Sequence, residues 1–409
     1  MTNSHDMPGG LWRLPLAGAV ALLLGVGFGR YVFTPLITPL VESGWFTAEQ
    51  TARLGAINLL GYLIGAAGAN RYAGWLGPRR AIASCLIALV ISLVACAWPW
   101  AMIVYGFWRL IAGAAAATLT IVVTPAIMAR MPAARRPLAS ATIFTGIGVG
   151  TMGVSLLVPR LASAGIGATW LATAGVGAVL AWISWLGVWR HLPAEAAPGD
   201  DTAAAPSSAG HTPWVLIGLV VAAYGLSAAG YVPHSLYWVD YIARELGRGL
   251  EAGNRYWLLL GLGGVIGPAL AGITARWLGF ERALVAAFVL MTLATALPLA
   301  LTGIAGLGLS SLVVGAMVPA IITLTAGTVH ALSPVARQRQ IWGWATLSFA
   351  ATQAVGGFAM ARLYAFAGSY ATTIAAGAVI LVVATGCSLA GAIGARRRAL
   401  AVRADRSKG

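Results

Sequence analysis

The sequence predicts an all-α membrane protein of twelve transmembrane helices, and three observations predict it. Hydrophobic residues make up 59% of the 409 residues and charged residues only 9%, against about 25% charged in a soluble domain. The apolar residues form long stretches, each near the roughly 20 residues that cross a bilayer. A segment rich in Ala, Pro, Ser and acid at 191–212 separates six of these stretches from six more. Soluble, disordered, fibrous and disulfide-framed classes are excluded at this step.

The first half holds stretches at 14–41, 52–71, 80–98, 101–129, 138–162 and 166–189; the second at 213–238, 254–276, 281–302, 304–331, 339–362 and 369–394. The polar leader Met1–Arg13 is short, and the apolar run after it continues without a small-residue cleavage site, so it reads as a retained first helix. The expected organisation is an N-terminal tail at 1–13, a six-helix bundle at 14–190, the linker at 191–212, a second bundle at 213–395 and a basic tail at 396–409. Cys85, Cys96 and Cys387 lie inside apolar stretches without Cys-x-x-Cys spacing, which indicates neither a metal site nor a disulfide frame.

The net charge of +15 in a soluble chain would suggest nucleic acid. Here position decides. With both termini placed in the cytoplasm, 18 basic residues fall on the cytoplasmic side, among them Arg71, Arg79, Arg80, Arg130, Arg135, Arg136, Arg276 and Arg282. Six fall on the other side: Arg53, Arg160, Arg244, Arg248, Arg255 and Arg362. This bias is the positive-inside signature, so no nucleic-acid partner is needed. It predicts a multi-pass membrane protein with both termini cytoplasmic.

The halves repeat one another. Gly25, Tyr31, Val32 and Leu36 match Gly225, Tyr231, Val232 and Leu236, each 200 residues on. Trp75-Leu76-Gly77-Pro78-Arg79-Arg80-Ala81 matches Trp277-Leu278-Gly279-Phe280-Glu281-Arg282-Ala283 at an offset of 202, with five identities in seven. Gly61, Gly65, Gly113 and Ala114 match Gly263, Gly267, Gly315 and Ala316 at the same offset.

These residues carry a resemblance to the major facilitator superfamily over essentially the whole chain. The turn from Trp75 to Arg80 resembles its signature loop between helices two and three, with Gly77, Arg79 and Arg80 in place and Gly279 and Arg282 in the second copy. It departs from the pattern at Gly74 and Arg276, where the family usually has Asp. Arg109-Leu-Ile-Ala-Gly113-Ala-Ala-Ala-Ala117 is similar to the Arg-x-x-x-Gly-x-x-x-Ala motif of helix four. The segment Gly27-Phe-Gly-Arg30-Tyr31-Val-Phe-Thr34-Pro35 looks like the bacterial YbfB/YjiJ-like subgroup. The resemblance implies two pseudo-symmetric six-helix bundles that alternate access to one mid-membrane site, with Gly77, Arg79, Arg80, Gly279 and Arg282 as gating loops.

An ionised side chain within a span costs several kcal/mol and is a functional candidate. Among charged residues only Arg30 and Arg109 fall well inside the apolar stretches, at similar depth, roughly 14–18 Å from one boundary at the helical rise. Their guanidiniums stay charged and fork onto carboxylate or phosphate. Two readings stay open for each: contact with an anionic solute, or pairing with backbone carbonyls in the first half. Neither is duplicated, since the matching positions are Gly230 and Ser311.

No carboxylate lies in the middle of a stretch, and Asp240, Glu245 and Glu251 follow the seventh. Proton coupling therefore lacks its usual group, and the coupling ion is unknown; His234 and Asp240 are the nearest candidates. Tyr224, Ser227, Tyr231, His234 and Trp238 share one helical face, and Trp342, Thr346, Phe349 and Gln353 share another. From these faces Tyr231, His234 and Gln353 join Arg30, Tyr31, Thr34, Asn58, Tyr62 and Arg109 as the expected substrate-binding set. Interfacial anchoring is the competing reading for the Tyr and Trp residues.

Gly148-Val-Gly-Thr-Met-Gly153 fits a dinucleotide fingerprint by letter, but it lies inside an apolar stretch and not at a strand-to-helix turn. It reads as helix packing. No cofactor and no metal site are indicated. The expected function is secondary transport of a small organic solute, anionic or amphipathic, by a monomer in the lipid bilayer. Alternatives are an efflux permease for neutral drugs or sugars and, more remotely, a membrane-embedded enzyme or sensor, for which the spans hold no catalytic cluster.

Overall fold

The computed structural model describes residues 12–132, 135–161, 164–192 and 213–406; the linker expected at 191–212 lies outside them beyond Leu192. Twelve long helices occupy the described residues. They are α1 (Arg13–Glu42), α2 (Ala48–Leu76), α3 (Pro78–Ala95), α4 (Met102–Met128), α5 (Arg136–Leu161), α6 (Ile166–Gly187), α7 (Trp214–Glu245), α8 (Gly249–Leu278), α9 (Phe280–Ala300), α10 (Ile304–Leu332), α11 (Val335–Ala367) and α12 (Tyr370–Arg406). Eleven are long and apolar enough to cross a membrane. The remaining one, α11, has the length but is more polar, carrying Arg337, Gln338, Arg339, Gln340, Thr346, Thr352 and Gln353.

Local chemistry sets the ends. At the start of α2, the Thr47 hydroxyl accepts from the Gln50 backbone N–H at 3.2 Å while the Gln50 side chain accepts from the Thr47 N–H at 2.9 Å, a capping box. At its end Gly77 takes φ 77°, a left-handed conformation that favours glycine, and Pro78 opens α3. The repeat predicts the same turn at Gly279, and φ there is 78°. The preceding Trp75 and Trp277 are 82% and 84% exposed, the condition of residues that meet lipid.

The chain forms two compact units, one of Met1–Gly199 with Leu236–Val265 and one of Asp200–Ser235 with Ile266–Gly409. In the first unit α2 and α4 meet where Gly65 lies against the Ala114 carbonyl and Gly113 against the Asn58 carbonyl, too close for any side chain. In the second unit Gly267 lies against the Ala316 carbonyl. Gly65/Gly267 and Ala114/Ala316 are equivalent positions of the repeat, so the same contact is built twice. Small residues admit this approach, which replaces the hydrophobic drive that lipid removes. Two of the three glycines of the fingerprint-like segment have the same use in the first unit: a Cβ on Gly148 would meet the Gly261 carbonyl at 2.7 Å, and one on Gly150 would meet the Gly27 Cα at 2.9 Å, while Gly153 makes no such approach.

Two helices are not uniformly α. In α1 the residues Leu23–Tyr31 are π-helical between α-helical Arg13–Leu22 and Phe33–Glu42. In α7 the π segments are Pro233–Tyr237 and Tyr241–Glu245. This corrects the reading of the seventh stretch. The helix continues seven residues past Trp238, so Asp240 and Glu245 lie inside it and not after it. Asp240 is fully buried. Hydropathy alone ended the helix at the first acidic group, whereas Arg244 one turn on neutralises that group and the helix runs on. The π turns also break the α-helical face drawn from Tyr224 to Trp238. Trp238 is 1% exposed and stacks on Tyr241 at 5.8 Å, which removes its interfacial reading.

The close contacts make a direct prediction. Overpacking costs about 1–3 kcal/mol, so Gly113→Ala and Gly267→Ala should each lower the unfolding midpoint of the detergent-purified protein. Gly68→Ala, with open space around its Cβ, should leave it within about 1 kcal/mol of the original. A midpoint unchanged in Gly113→Ala would contradict the packing described.

Candidate functional site

The π-helical stretch of α1 places Arg30 and exposes the backbone around it. Pro35 lacks the N–H that the carbonyl four or five residues earlier would use, Tyr31 or Arg30. Widened turns likewise change carbonyl partners at their C-terminal edge. In a bilayer such groups must be satisfied within the protein. Arg109 of α4 satisfies them: its Nη1 donates to the Gly29 carbonyl at 3.1 Å and its Nη2 to the Arg30 carbonyl at 3.4 Å. Asn58 of α2 completes the arrangement, its Nδ2 donating to the Arg109 carbonyl at 2.8 Å and to the Gly29 carbonyl at 3.4 Å. The Arg109 Cζ lies 4.5 Å from the Phe33 ring centroid and 5.9 Å from that of Trp170. Of its two readings, the geometry is the backbone clamp.

Arg30 is different. It is 4% exposed, and its Nε and Nη2 are buried with no hydrogen-bond partner among the described residues. Its Cζ lies 5.1 Å from the Tyr31 ring centroid and 5.6 Å from that of Tyr62. Two such cation–π contacts are worth about 0.5–2 kcal/mol each. The effective cost of burying an ion is several kcal/mol, so the rings offset only part of it. Behind Tyr31, the Trp257 ring sits edge-on at 5.6 Å and 90°. Thr34 and Thr38 are buried on the next turns of α1.

Asp240 forms a second polar centre in the same unit. Its Oδ1 accepts from Arg244 Nε at 2.6 Å and from the Thr38 hydroxyl at 2.8 Å, and its Oδ2 accepts from Arg244 Nη2. Sequence reading named Asp240 as a candidate but missed Thr38 and Arg244 as its partners. The i, i+4 spacing of Asp240 and Arg244 was the signal for the ion pair.

In the second unit, His234 is fully buried and its Nε2 lies 3.0 Å from the Ser310 hydroxyl of α10. Tyr231 is 3% exposed. Gln353 is 1% exposed, and neither polar atom of its amide has a hydrogen-bond partner among the described residues. Tyr224 stacks on Trp342 at 5.9 Å and lies 4.8 Å from Phe349, so the aromatic faces expected on α7 and α11 meet there. Of the loop residues, Arg79 lies 5.5 Å from the Trp185 ring, while Arg80 and Arg282 are exposed.

The two arginines should respond oppositely to removal of charge. Arg109→Leu strands buried carbonyls, each costing about 1–3 kcal/mol, and should lower the thermal midpoint sharply. Arg30→Met removes a buried ion whose desolvation cost the two rings only partly offset, and should leave the midpoint unchanged or raised. Unfolding curves of the purified variants check this; a loss for Arg30→Met as large as that for Arg109→Leu would show that Arg30 is held by structural bonds.

Comparison with known proteins places the chain. A family described as "Uncharacterised MFS-type transporter YbfB" matches residues 22–389, nearly the whole described length. No curated protein matches it. The match covers both units, the Arg30 segment, the Arg109 motif and both glycine turns. The chain belongs to this family, and it is a multi-pass membrane transporter of the major facilitator superfamily, not an enzyme.

Proposed function

We propose that the transported solute is a small organic molecule with an anionic group, and that Arg30 binds that group. The single observation behind this reading is the buried guanidinium whose Nε and Nη2 have no hydrogen-bond partner among the described residues. Arg244 has this edge filled by Asp240, and Arg109 donates both terminal nitrogens to backbone carbonyls and leaves only its Nε over, whereas the whole Nε–Nη2 edge of Arg30 is left without an acceptor among the described residues. Tyr31 and Tyr62 flank it, and Thr34 adds a hydroxyl from the next turn. Asn58 and Arg109, both in the expected set, act on this reading through the α1 backbone.

The wider proposal keeps the expectations drawn from the sequence. Two pseudo-symmetric six-helix halves alternate access in the bacterial inner membrane, with both termini cytoplasmic and the glycine turns at Gly77 and Gly279 in the gating loops. The repeat, the charge bias and the twice-built Gly–Ala contact support it. Tyr231, His234 and Gln353 are the second unit's own candidates for solute contact. A neutral drug-like or sugar-like solute is the second reading, favoured by the buried Gln353 amide and the aromatic cluster of Tyr224, Trp342 and Phe349.

Flux into liposomes tests the proposal. The reconstituted protein should transport organic anions from a metabolite panel, and Arg30→Ala should reduce their flux by about 100-fold, the scale of one lost charge-assisted contact. Equal anion flux in wild type and Arg30→Ala, or transport confined to neutral solutes, rejects the anion reading. Running each assay with and without a pH gradient, for wild type and Asp240→Asn, reports whether protons are coupled and whether this carboxylate takes part.

A further inference from the structure

The unpartnered atoms of Arg30 define more than a positive charge. Nε and Nη2 lie on one edge of the guanidinium, and their N–H bonds point the same way. That edge matches the two oxygens of a carboxylate in the bidentate, side-on arrangement. The same chain displays the match in Arg244, which presents Nε to Oδ1 and Nη2 to Oδ2 of Asp240. Arg30 offers the identical edge, buried, with Tyr31 and Tyr62 rings within 6 Å of Cζ.

We infer that the group held by Arg30 is the carboxylate of a monocarboxylic acid with an aromatic or aliphatic body, bound side-on through Nε and Nη2. This rests on the anion reading above and narrows it. An amide or alcohol brings no charge to offset the buried cation. A sulfonate or phosphate brings a third oxygen that lies out of the guanidinium plane and finds no donor on this edge. A phosphate also brings close to two negative charges, while Arg109 already donates from Nη1 and Nη2 to backbone carbonyls. The planar, singly charged head is the one that satisfies both donors. The body follows from the neighbours, since the rings of Tyr31 and Tyr62 lie 5.1 and 5.6 Å from the Arg30 Cζ, with Trp257 edge-on to Tyr31.

The test is binding to the purified full-length protein, read as the shift in thermal midpoint and by equilibrium dialysis. Probes are aromatic and aliphatic carboxylates such as phenylacetate and hexanoate, each with the amide and sulfonate of the same body. For at least one body the carboxylate should bind about tenfold or more tighter than either analogue, the discrimination expected of a bidentate site. Arg30→Lys keeps the charge but not the fork; its midpoint without ligand should stay within a few degrees, and the carboxylate preference should fall to about twofold or less. The inference is overturned if no carboxylate in the panel binds tighter than its amide and sulfonate, or if Arg30→Lys retains the full preference. Flux separates the two levels. Neutral solutes crossing equally in wild type and Arg30→Lys would leave a transporter without a carboxylate site, and sulfonates crossing through Arg30 would leave an anion site of another class.

Discussion

The hydrogen bonds from Arg109 to the carbonyls of Gly29 and Arg30 are the contact on which the first unit depends. A lipid-embedded helix has no water to satisfy stray backbone groups, so a π-helical turn in α1 is tenable only where another element supplies donors. The guanidinium of α4 supplies two, and Asn58 of α2 ties the same carbonyl to the α4 backbone. Three helices are thereby fixed at one level. The small residues of the α2–α4 contact bring the backbones near enough for these bonds, and the π turn delivers Arg30 to a buried position. At that position its Nε and Nη2 meet no acceptor among the described residues.

The repeat separates scaffold from specialised chemistry. The glycine turns at Gly77 and Gly279 and the contacts of Gly65 and Gly267 recur because both halves need tight turns and close helices. The guanidiniums do not recur. Ser311 stands where Arg109 would be and donates to the Leu307 carbonyl of its own helix. Gly230 stands where Arg30 would be, and even a Cβ there would meet Leu381 and the Gly377 carbonyl. The second unit has closed that position by packing, so the buried charge belongs to one half only.

Much of the fold was legible because hydropathy and the positive-inside rule act on whole stretches. The helix limits match the apolar runs within about five residues except at α7, where the run ends at Trp238 and the helix at Glu245, and at α12, where the run ends at 394 and the helix continues through the expected basic tail to Arg406. Composition could not show that Arg244 and Thr38 would make Asp240 tolerable inside the helix. Depth counting placed Arg30 and Arg109 at one level, and the 3.4 Å bond from Arg109 to the Arg30 carbonyl agrees. It could not assign their different uses, because that depends on a π turn. The cues for the turn, Gly25, Gly27 and Gly29 followed by Pro35, read equally well as ordinary packing glycines and a helix kink. The face drawn along α7 holds from Tyr224 to Tyr231 and ends where the π turn begins at Pro233, since a period of 3.6 residues does not survive a change of helix type.

The central claim is that the buried edge of Arg30 exists to receive a planar acid. The most direct measurement is a structure of the protein with an aromatic carboxylate bearing a heavy-atom label, so that the ligand's position and orientation are unambiguous. The account predicts the two carboxylate oxygens at about 2.7–2.9 Å from Nε and Nη2, with Arg109 still on the carbonyls of Gly29 and Arg30. A ligand bound elsewhere, with Arg30 unchanged or turned onto a protein acceptor, would contradict it.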